Sequence, residues 1–269
     1  MQLKVIWEKR IALIIFFLLF GLMLVNYFTN VFTYSGTDIV DMYHPMKILT
    51  LSSHSKYSFY LMQYYPLLVV IPAGFTLFAD KQVNQYIFIQ SRVGARNYYL
   101  GKFIVVFLVT FIVFTVPFLI EILLNVIAFP ITATGDPSNL SIYQRIEEIR
   151  MYLLSDLYIH APYIYALLLT LIFGIFSGVL AVFTVAISTL RIKFKVLLFL
   201  PVYVLIYLVG MLNELIPSLD IETNYFFFLR FYGVFYNPTG SFFAFWTFTI
   251  SLFVLSALII SLQARKDAI

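Results

Sequence analysis

ADKQVNQYIFIQSRVGARNYYLGK, residues 79–102, is the one long polar interruption on the positively charged side of a very apolar chain. It opens on Asp80-Lys81, directly after the apolar segment 61–79. It closes on Gly101-Lys102, directly before the apolar segment 103–129. Between them Val83, Tyr86, Ile87 and Gln90 recur at three- and four-residue steps, the spacing of one helical face. Arg92 and Arg96 follow one turn apart, on either side of Gly94. Two readings fit this pattern. One is a solvated loop that holds basic residues for topology. The other is a short helix lying along a membrane surface and touching a cytosolic partner.

The rest of the chain sets the context. Of its 269 residues, 62% are hydrophobic and only 11% charged, against about 25% charged in an ordinary soluble domain. That composition describes an all-α, polytopic membrane protein, a single domain over 1–269 with room for about six spans. No Cys is present, which excludes disulfides and thiolate metal sites. The net charge of +4 is spread among apolar spans and gives no nucleic-acid footprint.

Hydropathy places the spans at about 11–28, 61–79, 103–129, 163–190, 196–215 and 242–262. Met1–Arg10 reads as an interfacial helix with Trp7 at headgroup level, leading into an uncleaved anchor. Segment 61–79 contains Pro66 and Pro72, tolerated where neighbours satisfy the freed carbonyls. Segment 103–129 reaches roughly 40 Å, so it must tilt, kink at Pro117 or project beyond the lipid. Glu121 falls roughly 27 Å along it, near the far edge of the core. That leaves a pathway or gate role and an interfacial carboxylate both open. In 163–190, Gly174 and Gly178 continue a small-residue stripe with Ala166 and Thr170, suited to packing within the bundle or against a second subunit. Arg191, Lys193 and Lys195 make a short basic turn. Tyr225–Tyr236 is an aromatic run with Arg230 inside it, too short to cross as a helix, and reads as a re-entrant outer hairpin before the last span; Arg230 joins Glu121 as a possible gate residue. Asn237-Pro238 then looks like a cap with proline in the first turn.

Two polar loops lie on the other side. In 29–60, Asp38, Asp41 and His44 line up at three-residue steps, but a metal needs more ligands; His54 is solitary. In 130–160, Tyr143, Ile146, Ile149, Leu153 and Leu157 repeat as an amphipathic helix, and Asn139-Leu140-Ser141 matches a sequon common by chance. With both termini, 79–102 and 191–195 on one side, that side holds twelve of the 17 basic residues, which the positive-inside rule assigns to the cytoplasm.

No catalytic constellation stands out, and Gly94 through Gly101-Lys102 has the wrong spacing for a phosphate loop and lacks the following Ser or Thr. The order of features resembles the membrane subunit of a type 2 ABC transporter, the six-span export permeases. The resemblance rests on the interfacial N-terminal segment, the loop with Asp80, Arg92 and Tyr98-Tyr99-Leu100-Gly101-Lys102, the short turn between spans four and five, and the broken hairpin ending in Asn237-Pro238. It covers nearly the whole chain, through loose motifs in a fixed order. It implies that 83–96 is a coupling helix, with Asp80, Val83, Tyr86, Ile87, Gln90, Arg92 and Arg96 facing a cytoplasmic ABC ATP-binding subunit. It further implies a second permease chain, surrounding membrane lipids, a bacterial cell membrane, and ATP and Mg bound on the partner with no cofactor on this chain. With 30 Phe and 20 Tyr, the expected cargo is hydrophobic or amphipathic, such as a peptide toxin, an antimicrobial peptide or a drug. The rival readings are an intramembrane lipid-modifying enzyme and an energy-independent channel or sensor subunit.

Overall fold

A computed structural model describes residues 10–39, 42–130, 150–190, 194–216, 218, 220–231 and 233–267. The described chain is helical. Its elements are α1 Ile11–Tyr34, α2 Lys56–Leu68, α3 Thr76–Gln82, α4 Gln85–Val93, α5 Ala95–Ala128, α6 Ser155–His160, α7 Pro162–Ile187, α8 Phe199–Gly210, α9 Leu212–Leu215, α10 Tyr225–Phe228 and α11 Pro238–Lys266. Single 3₁₀ turns occupy Pro45–Ile48 and Lys195–Leu198.

Four of these helices, α1, α5, α7 and α11, are long and apolar enough to cross a membrane, at 24, 34, 26 and 29 residues. At 1.5 Å per residue each exceeds a ~30 Å hydrocarbon core. α1, α5 and α11 are longer than the spans read from hydropathy, because polar end residues extend a helix without adding to an apolar window, whereas α7 stops at Ile187, three residues short of the expected end. The long third span in particular starts at Ala95 rather than Phe103, and Pro117 lies inside it without ending it.

The two remaining expected spans are broken. Segment 61–79 is divided between α2 and α3 by turns over 69–75. Pro72 has no N–H to continue the helix. At Gly74 a Cβ would lie 2.5 Å from the Val70 carbonyl oxygen and 3.3 Å from Thr184 Cβ on α7, so the chain turns there tightly against its neighbour. Segment 196–215 becomes a 3₁₀ turn, α8 and α9. Twelve or thirteen helical residues span only ~20 Å.

Helix α7 is the axis of the bundle: 78% of its most apolar window is buried, against 28% in α1 and in α11. Its small residues are the cause. A Cβ on Gly174 would meet Thr115 Oγ1 at 1.8 Å and Phe111 at 3.0 Å, and one on Gly178 would meet Phe107 at 2.7 Å. Both glycines therefore let α5 lie directly on α7 within one chain. Tyr65, Phe114, Phe173 and Phe176 fill the buried centre with stacked, tilted and edge-on rings. Several buried hydroxyls on these helices turn back to the preceding turn, as in Thr170 to the Ala166 carbonyl and Ser256 to that of Leu252, which satisfies those groups without water.

Across the aromatic run 225–236 there is one helical turn, α10, followed among the described residues by bends and two isolated bridges. Its Phe231 bridges to Ser52 and its Val234 to Tyr152. Residues 143–149 of the amphipathic helix expected over 143–157 lie outside the described residues. Where the chain is described again, 151–154 are turn and bridge residues, and Leu154 has φ 56°, which interrupts the expected pattern before α6.

Candidate functional site

The polar residues gather at the two ends of the bundle. At one end stands the 79–102 stretch. Asp80, at the end of an otherwise apolar turn, is buried, and its Oδ2 takes an ion pair from Lys102 Nζ at 2.7 Å, both side chains 3% exposed. Tyr98 OH donates to the same oxygen at 2.8 Å. This pair ties α3 to the start of α5. Lys81 points the other way, its Nζ donating to the carbonyls of Ser188 and Thr189 at the end of α7, at 3.3 and 3.1 Å. Partial burial holds its pKa below the usual lysine value, with nearby Asp267 opposing that shift. Tyr99 OH donates to Asp267 at 2.5 Å, so the C-terminal end of α11 closes on the same cluster. The stretch 79–102, the end of α7 and the end of α11 thus share one end of the bundle. Asn26 of α1 bonds to Glu121, far along α5, so α1 begins at this end too.

Helix α4 hangs from this cluster. Asn84 at φ 55° precedes it and Gly94 at φ 81° follows it, so it is set at an angle to both neighbours. Gly94 adopts a conformation with ψ 148° that is essentially reserved for glycine. The face expected from spacing is split. Tyr86 packs with Ile89 against the core and Gln90 is half-buried, whereas Val83, Ile87 and Phe88 are 65, 51 and 71% exposed. Arg92 and Arg96 are also exposed. Of the seven residues expected to face a partner, Asp80 is buried and braces the mount; Tyr86 and Gln90 form its inner side. The outward surface is Val83, Ile87, Phe88, Arg92 and Arg96. Phe88 escapes the spacing argument because the sequence alone offers no reason to choose which side of a short, mixed helix turns inward.

The opposite end is built around Glu121. The carboxylate is 1% exposed. Its Oε1 accepts from Asn26 Nδ2 at 2.8 Å, Thr50 N at 2.8 Å and Thr50 Oγ1 at 2.7 Å. Asn26 and Asn30, one turn apart on α1, both donate to the Ile48 carbonyl, and Ser55 Oγ donates to Asn26 Oδ1. Arg230 reaches the same connection from the other side: Nε donates to Ser58 Oγ and Nη2 to the Ser53 carbonyl, both at 2.9 Å. Partial burial lowers its pKa from the ordinary arginine value. Glu121 and Arg230 therefore hold the two flanks of one connection, residues 48–58, which runs from the end of the 3₁₀ turn into the first turn of α2. Backbone bonds from Ser53 N to Phe231 O and from Phe231 N to Leu51 O fasten it further. Sequence reading picked out the two ions and missed Asn26, Thr50 and Ser58. The available signal was Asn26 and Asn30 at i, i+4 near the end of an apolar span.

His44 and His54 are structural here. His44 Nδ1 accepts from Met46 N at 3.2 Å, and His54 stacks on Tyr43. Asp41 lies outside the described residues, and among the described residues no group of three His, Cys, Asp or Glu could hold a metal ion. The Asn139-Leu140-Ser141 sequon, Arg191 and Lys193 also lie outside them. Comparisons with protein-family models, with curated proteins and with solved structures gave no match.

Proposed function

We propose that this chain is the membrane subunit of an ATP-driven exporter, with α4 as the helix on which a separate cytoplasmic ATP-binding subunit docks. The observation that carries the reading is α4 itself: an apolar and arginine-bearing outward face on a short helix, tied at both sides into a buried polar mount. A solvated topology loop needs no buried Asp80–Lys102 pair and no exposed Ile87 and Phe88. A partner that moves during ATP turnover needs a lever joined firmly to the spans. In this reading both termini are cytoplasmic, and α2–α3 and α8–α9 complete six crossings as broken helices; the irregular backbone at 69–75 is tolerated because it is buried in protein. Tyr225–Tyr236 then forms the re-entrant outer segment, and a second permease chain completes the transporter. The cargo is hydrophobic or amphipathic.

The test is affinity purification of the full chain from its own cells in mild detergent, with ATPase activity of the eluate as readout. Wild type is expected to bring down an ATP-binding subunit and its activity. Phe88→Asp with Arg92→Ala should lose both while elution volume and helicity stay unchanged, since neither residue is buried; an interfacial charge pair alone contributes roughly 2–5 kcal/mol. Undiminished ATPase in that variant, or a wild-type eluate with none, would sink the proposal.

A further inference from the structure

We infer that the outer part of the bundle contains a binding site for a cationic amphiphile, with an apolar chamber for its body and an acidic mouth for its head. A cavity of about 190 Å³ lies where α7, α8, α10 and α11 meet, walled by Phe176, Ile206, Val209, Phe228, Phe245 and Phe248. A second cavity, of about 300 Å³, is lined by Asn213, Asp220, Ile221, Glu222 and Tyr236. Ile221 and Glu222 line both, so the two adjoin. One is almost wholly apolar; the other carries two carboxylates and an amide. Among the described residues, no basic one lines either.

The junction is built rather than incidental. Glu222 Oε1 accepts from the backbone N–H groups of Thr223 and Asn224 at 3.0 and 2.9 Å, and Glu222 N donates to Ser241 Oγ at 2.9 Å. Tyr225 OH donates to the Met62 carbonyl at 3.0 Å, which holds that part of the wall. Thr223, which also lines the apolar chamber, has a buried Oγ1 without a hydrogen-bond partner among the described residues. Aromatic walls accept an aliphatic or aromatic body. Asp220 and Glu222, with Tyr236 beside them, favour an ammonium or guanidinium head through charge and ring attraction. An anionic head would meet two carboxylates and no cation.

As a binding site this stands on the walls alone. As the site of the cargo it rests on the exporter reading. The probe is radiolabelled decyltrimethylammonium, measured on the full chain in lipid nanodiscs with empty nanodiscs subtracted. Decyl sulfate competes as the anionic counterpart. Saturable binding is expected, displaced by excess unlabelled cation and not by decyl sulfate. Asp220→Asn with Glu222→Gln should weaken it at least ~10-fold, since Gln keeps the acceptor for the two backbone N–H groups. Ala244→Phe, which fills the chamber from α11, should abolish it. No saturable binding, or equal binding of cation and anion, or indifference to both variants, overturns the site. The ATPase readout on α4 is separate: binding lost with ATPase retained removes this site and leaves the exporter reading standing, and the reverse result removes the exporter reading and leaves the site.

Discussion

Replacing Lys102 with Met tests the mount of α4 directly. The Lys102–Asp80 contact is 2.7 Å long with both side chains 3% exposed, so solvent screening is slight. Removing Lys102 takes the ion pair away from a carboxylate that stays buried and keeps its bond from Tyr98 OH. Breaking a buried pair this way costs about 3–5 kcal/mol. In a chain of this size that corresponds to a fall of roughly 6–20 °C in Tm. Asp80→Asn should cost a similar amount by removing the charge opposite the buried ammonium. The double variant Asp80→Asn, Lys102→Met buries no charge and keeps an acceptor for Tyr98, so it should recover part of the loss, with a coupling of up to ~3 kcal/mol. The assay is thermal unfolding of the three variants and wild type in one detergent, followed by intrinsic fluorescence. ATPase of the co-purified complex is measured on the same samples. If Lys102→Met melts with wild type, or the double variant loses the sum of the two singles, the pair is not a buried, coupled element and the mount fails as an explanation of α4.

Gly174→Ala should destabilise by about 1–3 kcal/mol through overpacking on α5, and Thr115→Ala in the same chain should restore most of it by removing the oxygen 1.8 Å from the new Cβ; thermal melts of the two singles and the double measure this. Glu121→Gln keeps the Oε1 acceptor and should fold with a loss of about 1 kcal/mol, whereas Glu121→Leu strands three donors and should lower yield of monodisperse protein severely, as read by size-exclusion profiles. Arg230→Lys keeps the charge but cannot reproduce the two directed bonds to Ser58 and Ser53; faster proteolysis within 48–58 than in wild type is expected, and equal cleavage rates would show that the loop is held without Arg230.

Hydropathy was enough to recognise a helical membrane protein, to locate the four long helices, and to single out 79–102, Glu121, Arg230 and the Gly174–Gly178 stripe. Each of these signals is local: an apolar window, a charge inside or beside one, or two glycines four residues apart. The sequence could also warn that 61–79 contains two prolines, but not that the chain would turn at 69–75, because that turn depends on Gly74 lying against Thr184 from a distant helix. The same holds at the two polar ends. Composition alone determined that Asp80 and Lys102 must be dealt with near a membrane boundary, and that Glu121 needed partners. Which partners they took was decided by tertiary structure, since Tyr98 and Lys102 come from α5, beyond α4, Thr50 from a loop 71 residues from Glu121 and Asn26 from α1, 95 residues from it. A buried charge has to be paired or hydrogen-bonded, but the requirement does not name the donor. Helix packing does, by bringing together segments that are far apart in the chain.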